Sequence, residues 1–249
     1  MPSPRHLRNA PITEAVFDFR VKARAELRAE EFATLQSQLA DRFPTMQQRR
    51  GFQATFGIVE AKARPPVVQE LGLQGYFFKT ADEKTVAQFR VDGFTFNRLH
   101  PYTKWEELFV QAMELWRVYS ALARPAVITR LAVRYLNRIP LPPGPFELET
   151  YLRSAPIVPP ELPQQVSGFL TRVTIHDPAT DIFASIAQAL EAYAHGQQSA
   201  VILDIDAFKQ GEFGVEDYAG VEGIFNRLRA LKNVVFFNSL TDEALRQFE

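Results

Sequence analysis

The chain has 249 residues and a formal net charge of -1, from 28 Lys+Arg against 29 Asp+Glu, so no global field draws it to nucleic acid or to an anionic membrane. It has no cysteine, which excludes disulfides, zinc-thiolate sites, iron-sulfur clusters and thiol nucleophiles. The 46% hydrophobic content is ordinary for a globular protein, and 21 phenylalanines supply a large aromatic core.

The N-terminal residues are basic without a following apolar run, and no apolar stretch approaches the roughly 18 to 20 residues of a membrane span. A cytoplasmic protein is expected. Residues 14–22, "EAVFDFRVK", alternate strictly and predict a half-buried strand, with Phe17 and Phe19 on one face and Asp18 and Arg20 on the other. Residues 29–43 space Phe32, Leu35, Leu39 and Phe43 as a helix would, stopped by Pro44. Strands are expected at 51–62, 71–80 and 85–99, the last two joined by the turn "TADEK". A long helix follows at 103–123, with Thr103 as N-cap and Glu106 completing a capping box.

After Pro125 the order restarts. Residues 126–141 predict a long strand, followed by a Pro-rich stretch with at most a short helix at "FELETYL". A hairpin across "HDPATD" comes next (with 185–193 open to a helical reading), then a strand at 199–208, a helix at 215–232 and a short C-terminal helix opened near Ser239 or Thr241. The two halves, 1–124 and 125–249, thus each read as βαβββα within one continuous unit. "PITEAVFDFRV" (11–21) lies over "VITRLAVRYLN" (127–137), and "AQFRVDGF" (87–94) over "VILDIDAF" (201–208). The expected fold is α+β: tandem βαβββα repeats forming a curved antiparallel sheet backed by long helices, similar in form to the TATA-binding-protein-like and helix-grip folds.

Four blocks, "API-EAV", "QFRVDGFTFNRLHPY--W", "ITRLAVRYLNRI" and "VILDID-F", occur in an order that resembles a sporadically distributed bacterial family of uncharacterised proteins. The resemblance covers essentially the whole chain. It implies a cytoplasmic bacterial protein, with a hint of defence or mobile-element neighbourhoods, and it supplies no catalytic residue.

Three constellations could carry chemistry. Arg130, Arg134 and Arg138 fall at even spacing on one strand, so they share a face about 13 Å apart from one to the next. Such a ladder suits phosphates or carboxylates. It equally suits a lattice of ion pairs with Asp18, Asp92, Asp204 and Asp206, beside Arg20 and Arg90, and the lattice is the commoner fate of charges on a sheet. Asp204 and Asp206 form a D-x-D pair that could bind metal, although no third carboxylate is evident. Asn97, Arg98, His100 and Tyr102 are expected in the loop before the 103–123 helix, where a helix N-terminus beside an arginine offers an anion site.

The four histidines are expected in loops or termini without metal spacing, and there is no G-x-S-x-G, P-loop or dinucleotide fingerprint. Three readings stay open. The first is a non-catalytic binding or regulatory module, with a protein partner or homodimer ahead of nucleic acid or another polyanion. Its binding residues would be Arg90, Asn97, Arg98, Tyr102, Arg130, Arg134 and Arg138. The second is a helix-grip-like small-molecule pocket between the sheet and long helices. The third is a metal-dependent nuclease or nucleotidyl transferase using Asp204 and Asp206. No cofactor is expected.

Overall fold

The computed structural model describes residues 7–55, 58–59, 62–63, 67–191 and 198–249. The strands are β1 (Ile12–Lys22), β2 (Thr45–Thr55), the two-residue β3 (Ile58–Val59) and β4 (Lys62–Ala63), β5 (Val67–Lys79), β6 (Thr85–Arg90), β7 (Gly93–Leu99), β8 (Val127–Pro140), β9 (Leu170–Asp177), β10 (Ile182–Glu191) and β11 (Ala200–Phe213). The α-helices are α1 (Gln36–Leu39), α2 (Trp105–Ala123), α3 (Tyr218–Ser239) and α4 (Asp242–Arg246). Nine strands form one open, curved antiparallel sheet in the order β2-β5-β6-β7-β1-β8-β11-β10-β9, so the fold is α+β. β1 and β8 pair at its centre, with Phe17 opposite Val133, and this pairing joins the two halves of the chain into one sheet.

The period-two pattern gives the sheet two unlike faces. Ala15, Phe17 and Phe19 of β1, Leu131, Val133 and Tyr135 of β8, and Leu203, Ile205 and Ala207 of β11 are buried together on the side that α2 and α3 cover. Phe19 stacks on Trp116 of α2 at 4.5 Å between ring centroids and lies 5.0 Å from Phe225 of α3, which ties both helices to the central strand. Aromatic pairs at these separations add to the stabilisation from area burial alone. The other face carries the charges.

Residues 85–99 are not one strand, as the sequence suggests, but the hairpin β6–β7, reversing at Val91–Asp92. The reason lies in the phase of the apolar residues. Phe89 and Phe94 are an odd number apart, so a single strand would place them on opposite faces, whereas the hairpin sets them opposite each other with ring centroids 5.2 Å apart. Gly93 opens β7 at φ 153, and a Cβ there would stand 2.1 Å from the carbonyl oxygen of Phe19, so no other residue lets β7 approach β1 this closely. The overlay of 87–94 on 201–208 therefore fails, because the first spans a turn and the second lies within the continuous strand β11.

Other boundaries shift too. The helix expected at 29–43 is a 3-10 segment, Ala29–Leu35, running into the single turn α1; the tighter winding still buries Phe32, Leu35 and Leu39. The strand expected at 51–62 starts earlier, at Thr45, and residues 56–57 and 60–61 of it lie outside the described residues, as do 192–193 of the 185–193 segment. What is described of that segment is strand β10, not helix. "FELETYL" forms only the 3-10 turn Leu148–Thr150, so the second half lacks the helix that a full βαβββα repeat needs. α2 starts at Trp105 with Lys104 as N-cap and no side-chain cap, so the Thr103 capping box does not form. α3 runs on past 232 to Ser239, opened by Asp217, whose carboxylate accepts from the Gly220 N–H. Thr241 does cap α4, accepting from the Ala244 N–H. Among the described residues no helix is long and apolar enough to cross a membrane.

Candidate functional site

The outer face of the sheet is a lattice of ion pairs. Asp18 accepts from Arg20, Arg90, Arg130 and the Thr95 hydroxyl, at 2.8–3.2 Å. Burial pushes its carboxyl pKa up, yet Arg90, Arg20, Thr95 and Arg130 together outweigh burial and hold it below the usual range. Asp92 bridges Arg20 and Arg90. Arg130 also grips both oxygens of Asp206 at 2.7 and 2.9 Å and lies 4.6 Å over the Phe208 ring. Arg134 takes Asp204 in a two-pronged pair at 2.6 and 2.8 Å, and Arg138 donates to Glu191 and to the Gln198 carbonyl. The three ladder arginines thus each have a carboxylate, from β1 and β11 for Arg130, from β11 for Arg134 and from β10, two strands away, for Arg138. Two outer-face arginines have no ion pair among the described residues: Arg172 on β9, which donates to the Ser185 hydroxyl, and Arg49 on β2, half-buried near Arg90 and Arg20 and attracted by Asp92.

This arrangement also occupies the D-x-D pair. Asp204 and Asp206 each face an arginine, and among the described residues no group of three His, Cys, Asp or Glu side chains could hold a metal ion. Asp206 sits above the usual carboxyl pKa, because burial outweighs the attraction of Arg130. The donor set lacks the convergent carboxylates that a two-metal site requires.

The opening loop is shorter than expected. Asn97 and Arg98 lie on β7, not in the loop, and alternation sends them to opposite faces. Asn97 joins the outer face, donating to Glu14 at 2.6 Å and accepting from Gln88 at 2.9 Å. Arg98 turns to the helix side and donates to the Thr85 hydroxyl and the Pro101 carbonyl. The peptide before Pro101 is cis. His176, expected in a loop, is on β9 beside Asp181, whereas His6 and His195 lie outside the described residues.

Tyr102 and His100 do reach a site, though not the one that holds the ladder. Where β1 begins and β8 ends, the sheet, residues 100–106 and the second half of α3 enclose a cleft of about 720 Å³. Among the described residues its cationic side chains are Arg8, Lys104, Arg229 and Lys232, against one carboxylate, Glu106. Trp105, Phe236 and Phe237 supply an apolar wall. A backbone hydrogen bond, followed by the one that Glu106 accepts from Arg229 at 3.0 Å, holds the Glu106 carboxyl below the usual range. The Tyr102 and Tyr135 hydroxyls are 3.3 Å apart, and burial pushes both phenols up in pKa, Tyr135 the further.

Lys232 is the residue that the sequence reading missed. On α3 the buried residues Val221, Phe225, Leu228, Val235 and Ser239 leave one gap in a four-three spacing, and Lys232 fills it. It therefore points inward at a position that packing alone would give to an apolar residue. Its Nζ lies 4.1 Å from the centre of the Tyr135 ring, and among the described residues it has neither a carboxylate nor a hydrogen-bond partner. Burial, helped by the neighbouring Arg229, brings its pKa down to about 7. A strand-side tyrosine pair, an unpaired amine and an excess of cationic groups converge on one space.

Comparison of the chain with models of known protein families and with curated proteins finds no match.

Proposed function

We propose that the protein is a non-catalytic binding module that holds a small anionic molecule, a carboxylate or phosphate with an apolar body, in the cleft between the sheet and α3. The observation that carries this reading is the cleft's charge balance among the described residues: four cationic side chains to one carboxylate, with Lys232 inward and unpaired. Lys232 is half-buried, and a partly desolvated cation without a carboxylate gains when something supplies the missing charge. A pocket with an apolar wall and a few convergent polar groups is the usual form of a small-molecule site.

The outer face favours a polyanion less. Its ladder arginines already hold carboxylates, so a phosphate would have to displace Asp204, Asp206 or Glu191 for little net gain. We also infer a common origin for the two halves. In its support, β1 and β8 pair centrally, and the strand flanking each (β7, β11) is the last of its half and precedes a long helix.

A thermal-shift and calorimetric series with pyruvate, lactate, benzoate and phosphate tests the cleft. At least one acid should raise the melting temperature, with affinity about tenfold weaker in Arg229→Ala, because Arg229 gives Glu106 a single N–H and keeps others for one charge-assisted hydrogen bond to the ligand. Absence of binding by every member, or binding indifferent to Arg229, would contradict the proposal.

A further inference from the structure

Lys232 supports a more specific statement about the same cleft, one that rests on the small-anion reading. We infer that the ligand is an acid bearing a ketone or aldehyde carbonyl, of the 2-oxo acid class, and that Lys232 captures it reversibly as an imine.

The geometry supplies each part. An amine held at an inward helix position, with no carboxylate to keep it as an ammonium, is available as a nucleophile. The groups facing it are Arg229 from its own helix, Tyr135 from β8, and Tyr102 and Glu106 from the segment that opens α2. Glu106 is engaged with Arg229, which leaves the ammonium form only the face of the Tyr135 ring. The depressed pKa, about 7, then makes a large fraction of the amine neutral at neutral pH. Against an exposed lysine this is a free-amine fraction roughly a thousandfold higher. Tyr102 and Tyr135 share a hydroxyl contact and stay protonated far into the alkaline range, so they can donate to a carbonyl oxygen. The acid group of the ligand would meet the cationic wall of Arg8, Lys104 and Arg229.

The step balances without a co-reactant. The Nζ lone pair forms a bond to the carbonyl carbon while the C=O π pair moves to oxygen, which takes a proton through the tyrosine pair. The carbinolamine then breaks its C–O bond, and the two amine hydrogens leave with that oxygen as one water. The product is C=N, with no change in oxidation state, and hydrolysis reverses it. Capture and release in this way is binding, so the proposal adds no turnover to the module.

The test uses the full-length protein, pyruvate and sodium cyanoborohydride at neutral pH, read by intact mass and peptide mapping. The expected result is one reduced pyruvyl adduct per chain, mapped to Lys232, formed at least about tenfold faster than at any other lysine and absent from Lys232→Met. Mapping the wild-type site keeps the test valid even if the variant folds poorly. Lactate, which has the acid but no carbonyl, separates the two claims. If lactate and pyruvate stabilise the protein equally and no adduct maps to Lys232, the imine is refuted while the anion cleft stands. If neither acid stabilises the protein and labelling scatters over surface lysines, both readings fall.

Discussion

The outer face of the sheet and the cleft behind it are built from similar side chains, but their charges are treated differently. On the outer face Asp18 draws in three arginines and a hydroxyl, and Arg134 and Arg138 each find a carboxylate, on β11 and β10 respectively. In the cleft Lys232 faces a tyrosine ring, and among the described lining residues one carboxylate, Glu106, serves both Arg229 and Lys104. Paired charges on a sheet stabilise register and leave little for a ligand to gain. Unpaired charge in a concave, partly apolar space is the state that a ligand improves. Density of arginine therefore marks the scaffold here, and the missing carboxylate marks the proposed site.

The comparison breaks most visibly if Asp18 is dispensable. Asp18→Ala should destabilise the protein by about 3 kcal/mol in urea denaturation, because Arg90, 4% exposed, loses its main partner while staying buried. The same linkage fixes a pH dependence. With its folded pKa below the unfolded value, Asp18 contributes stability above about pH 4 that is lost as pH falls through the folded pKa. Wild type should accordingly lose more stability than Asp18→Ala on acidification.

The opposite sign is expected in the cleft. Lys232→Met should raise stability by on the order of 2 kcal/mol at neutral pH, since it removes a partly desolvated amine that faces an aromatic ring and no carboxylate. Between about pH 7 and the ordinary lysine value near 10.4 the unfolded chain binds more protons at this residue than the folded one, so wild type gains stability as pH rises. The gap to Lys232→Met should narrow across that window, as urea midpoints at stepped pH would register. Arg134→Ala is the mildest test: its half-exposed pair with Asp204 should contribute below about 1 kcal/mol, and its loss should leave cleft binding unchanged.

The charged face was legible because a strand's period is two, and Arg130, Arg134 and Arg138 could only share a side. The hairpin at Val91–Asp92 was signalled by the broken phase between Phe89 and Phe94, a cue that reads as a strand if only local β-propensity is weighed. Arg98 and Tyr102 share a proposed binding module with the ladder in the sequence reading, but alternation along β7 sends Arg98 to the helix side and the ladder to the other. Lys232 went unseen because the helix was ended on it. β-Branched and aromatic residues in "NVVFFNS" weaken helix propensity, and only Val235 and Ser239, continuing the four-three spacing, show that α3 runs on. The cleft itself needs residues from β1, β8, α2 and α3, a convergence that no single stretch of sequence contains.

The most direct test is the heat of pyruvate binding to three proteins under one condition: wild type, Lys232→Met and Arg134→Ala. The account predicts that Lys232→Met loses binding by at least about tenfold while Arg134→Ala matches wild type. Binding weakened by Arg134→Ala and untouched by Lys232→Met would place the site on the charged face of the sheet and contradict it.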